Sequence, residues 1–163
     1  MAIFLPNDYK MDISKFKHTY LITVRNYEID WQGIVHNGNY LLYFETARID
    51  YFRQLGMEID RKLVNGSEKI VVVRNEIDYY NSATFNEQLK IYTRLFRIGN
   101  SSFANEALMF HAQTNMPVAK NVTTMVWLNP ETNKSTPVPY EFRKLVQKFE
   151  GSDCDIHWPT IEV

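Results

Sequence analysis

The stretch from Asn39 to Leu55 constrains this chain more than any other, because no proline or glycine interrupts it and apolar side chains cover most of its circumference. Leu41, Phe44, Arg48, Tyr51, Phe52 and Leu55 recur at three- and four-residue steps, the interval that stacks side chains on one helical face. Tyr40, Leu42, Tyr43, Ala47 and Ile49 widen that face over the first turns, and Gly56 stands at the usual C-terminal stop. A helix this apolar is expected to be buried on nearly all sides. The rest of the chain must therefore supply the cover.

That cover reads as strands. His18 to Arg25 is rich in Thr, Tyr, Ile and Val, and Lys69 to Tyr79 opens on the apolar run Ile70-Val71-Val72-Val73. Gln88 to Ile98 sets Leu89, Ile91, Thr93 and Leu95 against Lys90, Tyr92, Arg94 and Phe96, the two-residue period of a strand. The turn pair Gly99-Asn100 leads into Ser102 to Gln113, and Asn115-Met116-Pro117 leads into Val118 to Leu128. Such short turns imply antiparallel neighbours. Beyond Pro137 and Pro139, Phe142, Leu145, Val146 and Phe149 space out an amphipathic helix that ends near Gly151.

The order predicts an α+β fold of one domain, a five-stranded antiparallel sheet wrapped around the central helix with a helix after it. We place an N-terminal extension over 1–17, the domain over 18–149 and a tail over 150–163. Five strands and one buried helix leave sheet edges open, so a homodimer or homotetramer is expected.

Composition narrows the function classes. Lys plus Arg number 18 against 19 Asp plus Glu, so no basic excess points to nucleic acid or to an anionic membrane surface. Cys154 is the sole cysteine, and no Cys/His spacing suits a structural zinc. Residues 1–17 lack the charged start and apolar run of a signal peptide, and no apolar stretch of about 20 residues could span a bilayer. A cytoplasmic location is the resulting expectation. The ten Phe, ten Tyr and three Trp suit either a long apolar ligand slot or a core filled by large side chains.

The chemistry concentrates in Asp30-Trp31-Gln32-Gly33-Ile34-Val35-His36-Asn37-Gly38-Asn39-Tyr40, the loop that runs into the buried helix. Cleavage of an acyl bond needs a carboxylate near the carbonyl carbon and donors aimed at the oxygen that becomes negative. Asp30 offers the first. The backbone N–H groups of Asn37, Gly38 and Asn39, where the helix begins, have no intrahelical partner and offer the second. Gly33 and Gly38 allow close approach of a ligand to the backbone.

This loop, with the Phe44-Glu45-Thr46-Ala47-Arg48 run inside the helix, resembles the signature of the 4-hydroxybenzoyl-CoA thioesterase family of hot dog proteins, in its bacterial acyl-CoA thioesterase branch. Gly99-Asn100-Ser101-Ser102-Phe103 is similar to another stretch of that family. The resemblance implies the hot dog fold and a thioesterase that acts without metal or cofactor, cleaving an acyl-CoA or acyl-carrier thioester to the free acid and thiol. It implies Asp30 as the catalytic carboxylate, as nucleophile or as general base, and the backbone amide of Asn37, with Gly38 beside it, as the group that polarises the carbonyl. Gly33, His36, Asn39 and Tyr40 are candidate substrate contacts, with Arg97, Ser101 and Ser102 as candidates for the pantetheine or phosphate end. It also implies active sites at a dimer interface.

Glu45 is the reserve carboxylate, although its position one helical step from Arg48 reads first as an ion pair. Glu28 reads as a turn residue or a charge neighbour of Asp30. Asn37 also suits a helix cap. Trp31 and Gln32 depart from the small residues usual after the Asp, which bears on the shape of the acyl pocket. Two other readings share the fold. One is a hydratase or dehydratase using His36 with Asp30 or Glu45, and the other is a module that binds acyl-CoA or an acyl carrier without turnover.

Overall fold

A computed structural model describes residues 11–59 and 66–159. Its elements run β1 (His18–Thr23), a 3-10 turn (Asn26–Glu28), α1 (Asn37–Gln54), β2 (Lys69–Tyr79), β3 (Gln88–Ile98), β4 (Ser102–His111), β5 (Pro117–Leu128), α2 (Tyr140–Glu150), a second 3-10 turn (Gly151–Asp153) and β6 (Asp155–Ile156). The strands form one sheet in the order β1-β3-β4-β5-β2, with β6 pairing β3. β1 lies antiparallel to β3, His18 opposite Thr93 and Thr23 opposite Gln88. β6 is parallel to the far end of β3, Arg97 opposite Asp155.

The two-residue period of β3 is realised in burial, since Leu89, Ile91, Thr93 and Leu95 are all buried while Lys90, Tyr92, Arg94 and Phe96 are half-exposed. The turn into β4 closes where the Gly99 N–H meets the Ser102 carbonyl at 2.8 Å. The turn into β5 places Asn115 at φ +56°, a left-handed conformation that Asn tolerates better than most residues.

Packing divides the chain into two compact units, one holding the chain up to Tyr51 with Glu76–Arg94 and Ala107–Asn121, the other Phe52–Asn75, Leu95–Glu106 and the chain from Val122 onward. In the first, Tyr40, Tyr43, Phe44 and Ala47 of α1 pack with Leu89 and Ile91 of β3, Ala107 and Met109 of β4, and Val118 and Ala119 of β5. In the second, Phe52, Phe103, Trp127 and Phe142 form a cluster of tilted and edge-on rings with centroids 5.1–6.2 Å apart. Arg143 of α2 is fully buried there and donates to the carbonyls of Val138, Asn100 and His157.

The structure corrects several expectations. α1 begins at Asn37 rather than Asn39, because Gly38 is accommodated in its first turn by a cap described below. α1 is not covered on all sides in this chain: Leu42 is 58% exposed, and Glu45, Thr46 and Arg53 share open positions. The described residues contain a sixth, short strand, β6, in the tail that showed no pattern, since two residues are too few to display a period. The tail is further tied in where the His157 N–H reaches the Ile98 carbonyl at 2.8 Å. Of the expected N-terminal extension, residues 1–10 lie outside the described residues; Phe16 packs edge-on against Tyr92 at 6.3 Å.

Candidate active site

The loop between β1 and α1 is built as two nested turns. Asp30 opens the inner one: its carbonyl accepts the Gly33 N–H at 3.0 Å, its N–H donates to the Ile34 carbonyl at 2.9 Å, and its Oδ1 accepts the Gln32 N–H at 2.8 Å. Gly33 sits at φ +77°, where a side chain would be strained although the space around it is open. The short bridge between Ile29 and Val35 closes the base of this turn. These contacts hold one Asp30 oxygen against the backbone and leave Oδ2 without a partner among the described residues.

The outer turn sets the head of α1. The His36 carbonyl accepts the Asn39 N–H at 2.9 Å, while His36 Nδ1 accepts the Gly38 N–H at 3.1 Å. His36 is thus the side-chain cap of the helix, an uncommon choice for that position. A Cβ on residue 38 would stand 3.3 Å from His36 Nδ1, closer than usual contact, so glycine is what lets the ring reach its amide. The cap leaves the Asn37 N–H as the donor at this helix terminus with no acceptor among the described residues. Tyr79 holds the same residue from the other side, its hydroxyl donating to the Asn37 carbonyl at 3.1 Å.

Asp30 and Asn37 both line one cavity of about 600 Å³. Ile34, Val35 and the rings of Tyr40, Tyr79 and Tyr80 give it apolar walls, and Gln32, Asn81 and Ser82 add polar groups. Tyr40 is buried, its ring edge-on to Tyr79 at 5.4 Å, and its hydroxyl accepts the Ala83 N–H at 3.2 Å. Burial pushes the Tyr40 phenol above its usual range, despite the opposing effect of that hydrogen bond. Tyr40 therefore stays a neutral wall at working pH.

Of the candidates read from sequence, the cavity brings together Asp30, Asn37 and Tyr40. Gly33, His36, Gly38 and Asn39 shape the loop instead of lining the cavity. The Asn39 side chain turns inward, its Nδ2 donating to the Glu28 carbonyl at 2.8 Å, and the Gly38 amide is occupied by His36. Arg97, Ser101 and Ser102 are not among the lining residues. Glu45 is 55% exposed with Arg48 at 3.9 Å, the ion-pair reading, and does not line the cavity. Trp31 points away from the protein, 92% exposed. Among the described residues no group of His, Cys, Asp or Glu is arranged to hold a metal.

Sequence reasoning missed Tyr79, Tyr80, Asn81 and Ser82, which lie far along the chain and carry no motif. It also undervalued Glu28. That side chain is buried, with Oε2 accepting the Tyr43 hydroxyl at 2.6 Å and the Arg25 N–H at 2.7 Å, and Oε1 accepting Arg25 Nε at 2.8 Å with Arg25 Nη2 at 2.5 Å. Burial alone would raise its pKa, but the hydrogen bonds from the Arg25 side chain, the Tyr43 hydroxyl and the Arg25 amide outweigh it and hold the carboxyl below its ordinary range. Desolvation and this same carboxylate drive the Tyr43 phenol upward.

Known proteins share this arrangement of strands and helix. The family model described as the thioesterase-like superfamily matches residues 24–146. The Bacillus subtilis (strain 168) protein YsmA is 29% identical over 114 residues, 70% of this chain and 74% of its own. A thioesterase from Thermus thermophilus, solved with coenzyme A and zinc, superposes with a TM-score of 0.73 at 27% identity, covering 85% of this chain and 97% of that one. A 1,4-dihydroxy-2-naphthoyl-CoA thioesterase from Synechocystis superposes at 0.74 with 17% identity, covering 79% and 94%, a likeness that speaks for the fold alone.

Proposed function

The chain belongs to the thioesterase-like superfamily, with the hot dog fold, and from that premise we propose that this thioester hydrolase cleaves an acyl-CoA, or an acyl-carrier thioester, at Asp30. The observation that carries the proposal is the meeting of two groups in one cavity. Asp30 offers Oδ2 and Asn37 offers its N–H at the positive end of α1, neither with a partner among the described residues, and both line the same space of about 600 Å³.

The thioester carbonyl oxygen accepts the Asn37 N–H, which draws charge from the carbonyl carbon. In one route Asp30 takes a proton from water as the resulting hydroxide adds to that carbon. The tetrahedral oxyanion rests on Asn37, and collapse breaks the C–S bond, the thiolate taking the proton from Asp30. In the other route the Asp30 carboxylate adds directly, expels the thiolate to leave a mixed anhydride, and water then hydrolyses it. Tyr40, Tyr79 and Ile34 give the acyl group an apolar wall. Against the hydratase reading, His36 Nδ1 accepts the Gly38 N–H and His36 is not among the residues lining the cavity.

CoA as the thiol is supported by the coenzyme bound to the Thermus relative. We extend the proposal to a homodimer or a tetramer of such dimers. β2 ends the order of the sheet, with Val72 and Val73 exposed on it, a strand edge suited to a second copy. Arg97, Ser101 and Ser102 then serve the partner's substrate, and the cytoplasm, where acyl-CoA is made and used, is the expected location.

The test is thiol release from acetyl to palmitoyl and aromatic acyl-CoA esters, with wild type and Asp30→Asn. Turnover by the wild type with a loss of at least about 10²-fold in the variant is the expected result. Full activity of Asp30→Asn would sink the assignment. In a single turnover in ¹⁸O-water, label in Asp30 would identify the anhydride route with water attacking its Asp30 carbonyl, whereas label in the released acid alone fits either route.

A further inference from the structure

We propose that Glu28 is a positioning residue for the Asp30–Asn37 pair, its buried carboxylate fixing the peptide from which both ends of the active loop are hung. The inference rests on the thioesterase reading above and names what holds that site in register.

A chain of bonds runs outward from Glu28. Its carboxylate receives four donors from Arg25 and Tyr43, one of them a Tyr43 hydroxyl at 2.6 Å, the short separation of a charge-assisted bond. Arg25 precedes the 3-10 turn and Tyr43 lies on α1, so the carboxylate ties the entry of the loop to the helix that follows it. The Glu28 carbonyl in turn accepts the His36 N–H at 2.9 Å and Asn39 Nδ2 at 2.8 Å. His36 is the residue immediately before Asn37 and caps Gly38. Asp30 is two residues beyond Glu28, past Ile29, which bridges Val35.

One residue therefore sets both reacting groups, Asp30 through the chain and Asn37 through hydrogen bonds. If the carboxylate loses its donors, the 28–29 peptide is free to tilt, and the Asn37 N–H shifts relative to Asp30. A displacement of about 1 Å between catalytic groups costs on the order of 10²-fold in rate. A role in folding alone would not link the carboxylate to Asp30, whereas this one does.

The test compares wild type, Glu28→Gln, Tyr43→Phe, Asp30→Asn and the Asp30→Asn/Glu28→Gln double variant in thiol release from an acyl-CoA that the wild type cleaves. His36 amide hydrogen exchange is read in the same proteins. We expect Glu28→Gln to lower kcat by about 10- to 100-fold with KM within about twofold, and Tyr43→Phe to do the same on a smaller scale. In the double variant Glu28→Gln should cost clearly less than it does in the wild-type background, because only the Asn37 amide is left to position. Exchange at His36 should quicken.

A folded Glu28→Gln protein with wild-type kcat, or a Glu28→Gln loss equally large in the Asp30→Asn background, would overturn the proposal. If Glu28→Gln does not fold, Tyr43→Phe decides by the same kcat-against-KM split. Should the wild type cleave no acyl thioester, the thioesterase reading fails by itself. The exchange experiment then still judges the anchor, and unchanged His36 protection in Glu28→Gln or Tyr43→Phe would reject it.

Discussion

Glu28 in the first unit and Arg143 in the second are both charged side chains removed almost wholly from water, yet the protein satisfies them in different ways. Glu28 is met by an opposite charge and by donors from residues close in the chain, Arg25 three before it and Tyr43 on the next helix. Arg143 donates instead to backbone carbonyls, those of Val138, the Asn100 turn and His157 in the tail. Burial lowers the Arg143 pKa, whereas hydrogen bonds hold the Glu28 carboxyl below its ordinary value against burial. The contrast separates two uses of a buried charge. Arg143 stitches together distant segments, and Glu28 sets the geometry of a loop.

The largest expected effect breaks the Arg143 side. Arg143→Met takes this donor from the Val138 and His157 carbonyls, the Asn100 carbonyl keeping the Val138 N–H, and should cost about 3–5 kcal/mol of stability, seen as a fall in Tm on the order of 10 °C, with kcat per folded molecule unchanged. A variant as stable as wild type would mean those carbonyls find water at no cost. Asp30→Asn is the opposite case. It should raise the barrier by at least about 2.7 kcal/mol, the equivalent of 10²-fold, and leave Tm nearly where it was.

The pH dependence of stability sharpens the Glu28 side. Its folded pKa lies below the ordinary 4.5, so the unfolded chain binds the proton more readily. The stabilisation is fully present above about 4.5 and is lost as pH falls through the lowered folded value. Unfolding free energies measured from neutral to acid pH should drop more steeply in that window for wild type than for Glu28→Gln. Parallel curves would show that the carboxylate contributes nothing ionic. The smallest effect is Gly33→Ala, about 1 kcal/mol from the positive φ of the inner turn, accompanied by a modest fall in kcat and read by calorimetry and thiol release together.

Much of this was legible in the chain. The apolar steps from Tyr40 to Leu55 announced α1, and the alternation of Leu89, Ile91, Thr93 and Leu95 announced β3, because each element's period is written in adjacent residues. Asp30, Asn37 and Tyr40, which line one cavity, were legible as candidates because they share one short loop and helix start. The strip of Leu42, Glu45 and Thr46 was misjudged, since apolarity says that a surface prefers cover but not that this chain supplies it. Tyr79 to Ser82 were invisible, as nothing local distinguishes a strand end that meets a cavity from one that does not. For Glu28 the signal was present in the opposite charges of Arg25 and Glu28 at a three-residue spacing, but whether such a pair is buried is not a local property.

The order of residues by itself settled where helix and strands form, because propensity, period and turn chemistry act over a few neighbours. Only the tertiary structure decided which amide at that helix head is left unbonded, which aromatic rings close the cavity and which carboxylate loses its water. Those outcomes depend on desolvation and on hydrogen bonds between segments far apart in sequence, and such competition is resolved only when the segments meet.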